Sequence, residues 1–179
     1  DRDGSANAVV KYSGYQKEKA VINGGVAIKG WQKWKDNIYR AKIPAQLQGK
    51  NFYRLFDDGQ SAVLARHPNL GSGFGGGLKR INNTTIQVPE QWKNYDFSKA
   101  QIYGWIGSNW FAELRAVENF NKDKLQLTVD PGSKNFGGLN GRVYIQGVPE
   151  LLDVENEWCV NGDYVYYYPS VKTDINKRI

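Results

Sequence analysis

A single cysteine, a single histidine and no methionine leave this chain of 179 residues poor in the side chains that hold metals or do redox work. With Cys159 alone, no disulfide can close within the chain and no thiolate cluster can bind a metal. With His67 alone, a histidine-based metal centre has no second imidazole to draw on, so neither a metal nor a cofactor is expected. Long apolar runs are missing too. No stretch approaches the roughly 20 apolar residues that a membrane-spanning helix requires, so no membrane span is expected. Charge of one sign is not gathered into blocks. Lysine and arginine are scattered, and only Lys172 to Arg178 is locally basic. Such a pattern is ordinarily a solvated surface. The net charge of +6 nonetheless suits an anionic partner. Without any nucleic-acid-binding signature, an acidic or sulfated glycan ranks ahead of DNA or RNA.

What the chain does have is rings and glycine: six Trp, eleven Tyr, seven Phe and 20 Gly. Mean hydropathy is -0.62, so the remainder is very polar. Short runs that alternate apolar and polar residues recur between turn residues, which predicts an all-β protein. Strands are expected in "AVVKYS", "KAVING", "VAIKGW", "NIYRAKI", "QIYGWI", "WFAELRAVENF", "KLQLTV" and "RVYIQG". Asp58-Gly59 predicts a hairpin with Leu55 opposite Ala62 and Tyr53 opposite Leu64. "LKRINNTTIQV" predicts another, bent at Asn82-Asn83, and "VPELLDVENEW" allows at most one or two helical turns. The glycine cluster "GSGFGGG" lacks the Lys-Ser/Thr pair of a phosphate loop and is expected to be a flexible surface loop, like "NFGGLNG".

The densest group of rings is "EWCVNGDYVYYYP", Glu157 to Pro169. An Asn161-Gly162 turn would set Cys159 opposite Tyr164, Trp158 opposite Val165 and Glu157 opposite Tyr166. Alternation then gives Tyr164, Tyr166 and Tyr168 one face with Cys159 and Glu157, and gives Val165 and Tyr167 the other with Trp158. Such a hairpin is either covered on both faces or offers one of them to a ligand.

Three stretches resemble a known family: "GSANAVVKYSGYQKEKAVINGG", "NFYRLFDDGQSAVLARHPN" and "VPELLDVENEWCVNGDYVYYYP". Each is weak alone, but their order and spacing resemble the bacterial right-handed parallel β-helix proteins of glycoside hydrolase family 141. The resemblance implies a jelly-roll-like β-sandwich inserted between early rungs of a β-helix. On this chain that gives a lead-in rung over residues 1–25, the inserted sandwich over 26–140 and a return to β-helix rungs over 141–179. The absence of an initiator methionine, and an ending without a turn or cap, favour a piece of a longer protein. The resemblance implies an extracellular or periplasmic location. It also implies a polysaccharide or oligosaccharide partner, an anionic one included, with the rest of the β-helix of the parent chain as a second partner.

Catalytic residues are not assigned. Glycoside hydrolysis needs two carboxylates facing across a cleft, and none of the 18 acidic residues stands out as one of a pair. Asp57 and Asp58 belong to a tight turn, Glu157 suits a hydrogen-bonded structural role, and His67 suits a structural hydrogen bond in a loop. The resemblance implies that the catalytic acids lie on later rungs, outside this chain. Ligand contact is expected at Trp105, Trp110, Glu113 and Arg115, where two rings bracket a Gly107-Ser108-Asn109 turn beside groups that can bind hydroxyls or carboxylates. Both tryptophans filling the core is the competing expectation. Three other functions stay open: a non-catalytic carbohydrate-binding module, a polysaccharide lyase and a structural or adhesive β-helix protein.

Overall fold

Turns set the strands. A computed structural model describes residues 13–14, 16, 23–106, 111–131, 139–170 and 174–177. Among them the strands are β1 (Gln32–Lys35), β2 (Ile38–Lys42), β3 (Phe56–Asp57), β4 (Gln60–Ser61), β5 (Val63–Leu64), β6 (Arg66–His67) and β7 (Lys79–Arg80). They continue as β8 (Thr85–Gln87), β9 (Gln101–Ile106), β10 (Phe111–Asn121), β11 (Gln126–Val129), β12 (Leu139–Gln146), β13 (Glu157–Asn161) and β14 (Tyr164–Tyr168). The helical turn expected before the last hairpin is a short 3-10 helix at Pro149–Leu151. Val26–Trp31 forms no strand.

One sheet has the order β1-β2-β14-β13-β5 and the other β6-β12-β9-β10-β11-β8-β7; β3 and β4 form a separate hairpin. Pairing is antiparallel throughout these elements, except between β13 and β5. β5 and β6 belong to different sheets. Ala65, fully buried between them, bonds to both sides: its N–H donates to Trp158 O at 2.7 Å and its carbonyl accepts from Gly147 N at 2.9 Å.

The two sheets face each other across the larger core. Ile102, Val117, Leu127, Val129, Val143 and Ile145 come from the seven-stranded sheet, and Ile38, Cys159 and Tyr166 from the five-stranded one. This is the packing of a β-sandwich, in which alternate residues of each strand point inward. A second core lies on the far side of the five-stranded sheet. There Ala41, Trp158, Val165 and Tyr167 are covered by Trp31, Leu55, Ala62 and Ile175. Phe52 stacks on Trp158 at 5.7 Å and 14°. Trp31 packs on Tyr167 at 6.1 Å. The Asn176 amide clamps Trp31 by accepting from its N–H at 2.9 Å and donating to its carbonyl at 3.0 Å. The Tyr167 hydroxyl donates to Asp57 Oδ2 at 2.9 Å. The ring-rich hairpin is thus covered on both faces, and removing a ring as buried as Trp158 would cost about 3–5 kcal/mol.

The face assignment of that hairpin holds, but its register differs. Cys159 pairs with Tyr166, Trp158 with Tyr167 and Glu157 with Tyr168. The two turn residues are Gly162 and Asp163, and Gly162 takes φ +55 at the position where a tight hairpin turn favours glycine. At the earlier hairpin, Asp58 and Gly59 both have positive φ, and Ala62 N donates to Leu55 O at 2.8 Å as expected. Tyr53 does not pair with Leu64. Tyr53 is 79% exposed, and Leu64 pairs with Trp158 instead.

No parallel β-helix rung is found among the described residues. The lead-in rung expected over residues 1–25 falls almost entirely outside them. The return expected from Gly141 onward differs from what residues 143–168 do. The boundary at Asn140 falls inside β12, which lies between β6 and β9, while β13 and β14 are interior strands of the other sheet. The reason is burial: Cys159 and Tyr166 need the seven-stranded sheet above them, and Trp158 and Tyr167 need the segments around Trp31 and Leu55 below.

Candidate functional site

Alternation along β9 and β12 separates a core face from a solvent face. Ile102, Gly104, Val143 and Ile145 are buried, whereas Tyr103, Trp105 and Tyr144 are only half-buried and Arg142 is exposed. Because Tyr103 pairs with Tyr144, both rings stand on the same outer side of the sheet, stacked at 4.9 Å and 19°. Arg66 of β6 continues the row, its guanidinium 3.5 Å from the centre of the Tyr144 ring. Its Nε donates to Pro68 O at 2.9 Å, which fixes the plane of the group. Burial lowers the Arg66 pKa, against the pull of Tyr144 and Glu157, and raises that of Tyr144, against the pull of the Arg66 cation.

Trp105 stands beside this row. Its ring meets Tyr103 edge-on at 5.5 Å and Phe74 at 5.0 Å, and the Arg142 guanidinium lies 5.3 Å from its centre. On the β10 side its cross-strand partner is Ala112, whose methyl group cannot cover an indole.

Phe74 arrives from the glycine cluster, which is anchored to the sandwich. Gly75 N donates to Val143 O at 2.8 Å, and His67 Nε2 donates to Gly76 O at 2.8 Å. Gly76 has φ +51, and a Cβ there would lie 2.6 Å from His67 Nε2, so only glycine fits. His67 has the structural role expected of it, and its ring also meets Trp92 edge-on at 4.7 Å. The loop therefore holds a ring, 38% exposed, over Trp105 and Tyr144.

The residues singled out by sequence do not meet in one place. Trp105 is on the outer face. Glu113 pairs with Gly104 and Arg115 with Ile102, so both share the opposite, inner side. They bind each other, Arg115 Nε donating to Glu113 Oε2 at 3.0 Å, and Arg115 is 3% exposed. Arg115 Nη1 also donates to Asn83 O at 3.4 Å, while Nη2 is buried without a hydrogen-bond partner among the described residues. Trp110 lies outside the described residues. Tyr103, Tyr144, Phe74, Arg66 and Arg142 were not foreseen. The alternation in "QIYGWI" and "RVYIQ" is the signal that could have revealed the two tyrosines and Arg142. Nothing in "GSGFGGG" shows where Phe74 goes.

Among the carboxylates, Glu157 stands apart. It is 3% exposed, and its pKa is pushed up to about 7, first by burial and then by the charge of Asp153. The backbone N–H groups of Val154, Arg66 and Asp153 pull it the other way. Perturbation of this kind marks a catalytic acid when the group opens into a cleft. Glu157 is enclosed, so a sugar cannot reach it. No group of three or more His, Cys, Asp or Glu placed to hold a metal ion occurs among the described residues. No helix among them is long and apolar enough to cross a membrane.

No protein family and no curated protein matches this chain. A solved structure described as a glycoside hydrolase is similar to it, with a TM-score of 0.64 and 18% sequence identity. The similarity covers 90% of this chain and 31% of that one, so the chain spans about a third of the length of that protein. At this identity the likeness is one of fold.

Proposed function

We propose that this chain is the glycan-contacting β-sandwich lobe of a larger secreted bacterial protein of the glycoside hydrolase type, with its outer row of rings forming one wall of a substrate groove. The observation that carries this is Trp105. It is a half-buried indole on the solvent face of β9, flanked by Tyr103, Phe74 and Arg142, with the small Ala112 as its cross-strand partner on β10. Sugar rings present C–H faces that pack on such a surface, and neighbouring arginines bind hydroxyl or carboxylate oxygens. The fold likeness supports the reading, as does the resemblance of the chain's motifs to glycoside hydrolase family 141. In that reading a right-handed parallel β-helix adjoins the sandwich beyond the residues described. In the same reading the protein acts outside the cell or in the periplasm, and the cleaving carboxylates lie elsewhere in it.

The closed sandwich favours a second reading, a non-catalytic carbohydrate-binding module. The larger core is built between two sheets of the described residues, and in this reading the lobe binds glycan without further rungs.

The test is binding of the whole chain to a panel of neutral and acidic polysaccharides by affinity electrophoresis and calorimetry. Trp105→Ala should weaken binding about tenfold, the equivalent of an aromatic contact worth about 1.4 kcal/mol. Phe56→Ala, which removes a ring that is 57% exposed on the β3–β4 hairpin, should change nothing. Unchanged affinity in folded Trp105→Ala protein refutes the proposal.

A further inference from the structure

A second feature lies on the other sheet. Gln32, Arg40, Lys42 and Tyr164 share one face of β1, β2 and β14, because Gln32 pairs with Arg40 and Lys42 with Tyr164. Ile38 and Tyr166 point to the same side and close the core there, but Arg40 is half-buried and Lys42 exposed. With Lys29 and Gly30 from the segment before β1, these residues line a cleft of about 270 Å³. Three of the seven lining residues are cationic and none is acidic. Among the described residues no carboxylate lies within ion-pairing distance of Lys29, Arg40 or Lys42. The Arg40 guanidinium is held 4.8 Å from the centre of the Tyr164 ring, which limits its rotation and leaves its N–H groups for another acceptor.

Three cations lining one cleft, without a carboxylate partner among the described residues, suit an anion. A planar guanidinium matches a carboxylate or a sulfate oxygen pair, and lysines add point charges that adapt to either. The Gln32 amide and the Tyr164 hydroxyl supply uncharged partners of the kind that sugar hydroxyls take. The cleft has room for about one sugar residue but not for a folded partner. We propose that the Lys29–Arg40–Lys42 cleft binds the anionic group of an acidic glycan, the carboxylate of a uronate or a sulfate ester. This rests on the glycan reading above and narrows its substrate class to acidic chains.

The whole chain is titrated calorimetrically with a galacturonic acid oligomer, its methyl-esterified counterpart, a sulfated oligosaccharide and a neutral oligomer. A Lys29→Gln/Lys42→Gln protein is compared with a Lys122→Gln/Lys124→Gln protein, which loses the same charge from exposed positions around the β10–β11 turn. The first pair should weaken the acidic ligand about tenfold or more, the second less than about twofold. Loss of binding on esterification, with the sulfated oligomer inactive, assigns a uronate; the reverse assigns a sulfate ester. Equal weakening by both variant pairs, or by neither, overturns the cleft and shows only diffuse attraction. Binding of neutral but not acidic oligomers overturns the cleft and leaves the Trp105 surface standing. Failure of every glycan to bind removes both.

Discussion

Replacing Glu157 by Gln tests how much a single enclosed carboxyl group costs this sandwich. Glu157 is 3% exposed, and its pKa rises from 4.5 to about 7 because burial, then the Asp153 charge, disfavours the ionised form. Below about pH 4.5 the group is protonated in both folded and unfolded chains, and it exerts no pull on stability. Between there and about pH 7 the folded chain holds a proton that the unfolded chain has released, so stability falls as pH rises. Above that window both states are ionised, and the folded state bears the full cost of a buried charge. The interval corresponds to at most about 3–4 kcal/mol, taking about 1.4 kcal/mol for each pH unit between the two pKa values. Gln keeps the size and the carbonyl acceptor but has no charge to bury. Its added N–H₂ needs a partner, which offsets about 1 kcal/mol of the gain. Urea unfolding followed by tryptophan fluorescence should therefore show Glu157→Gln about 1–2 kcal/mol more stable than wild type near pH 8. Near pH 5 it should be equal or slightly weaker. The decisive quantity is the difference between the two proteins at the two pH values. Parallel pH profiles would mean that Glu157 ionises in the folded chain as freely as in the unfolded one, and would refute the reasoning.

Gly76→Ala combines φ +51 with a Cβ that would sit 2.6 Å from His67 Nε2 and 3.0 Å from Pro68 Cγ. It should cost about 2 kcal/mol and lower the melting temperature by roughly 4–8 °C. It should also loosen Phe74 and weaken glycan binding, and an unchanged melting curve would contradict the anchored loop. Cys159 is fully buried between the sheets, and burial, with Glu150 and Glu157 nearby, holds its thiol well above the ordinary range. Ellman's reagent should label it at least about a hundredfold more slowly in the native protein than in denaturant. Labelling of the native protein at the rate of a free thiol would show that the sandwich opens there.

The parts of the fold legible in the sequence are those fixed by neighbours along the chain. Asp58-Gly59 set its hairpin because both residues tolerate positive φ. The hairpin of Glu157 to Tyr168 was assigned the right faces from a register displaced by two residues, since a shift of two preserves which side each residue occupies. What stayed hidden depends on partners distant in sequence. Whether Trp105 meets Arg115 depends on how β9 registers against β10. The observed pairing of Trp105 with Ala112 and of Ile102 with Arg115 puts them on opposite faces. The family-like motifs suggested that residues from 141 onward belong to a different scaffold. The parallel pairing of β13 with β5, and the place of β12 between β6 and β9, bind them to the centre of the chain instead.

The rings on the outer face lie outside the two buried cores. Among the described residues, neither core includes Tyr103, Trp105 or Tyr144. Cross-strand ring pairs do support a sheet, by about 0.2–1 kcal/mol each, and that suffices to account for the stacked Tyr103–Tyr144 pair. It does not account for Trp105, whose β10 partner is an alanine. Nor does it account for a loop with five glycines at positive φ, two of them hydrogen-bonded to the sandwich, that delivers Phe74 to the same place. A threonine or valine at position 105 would serve the strand as well and expose less apolar surface to water. An indole and a phenylalanine packed on the solvent face and edged by arginines offer the flat apolar surface that a sugar ring accepts, which is the contact the proposed function calls for.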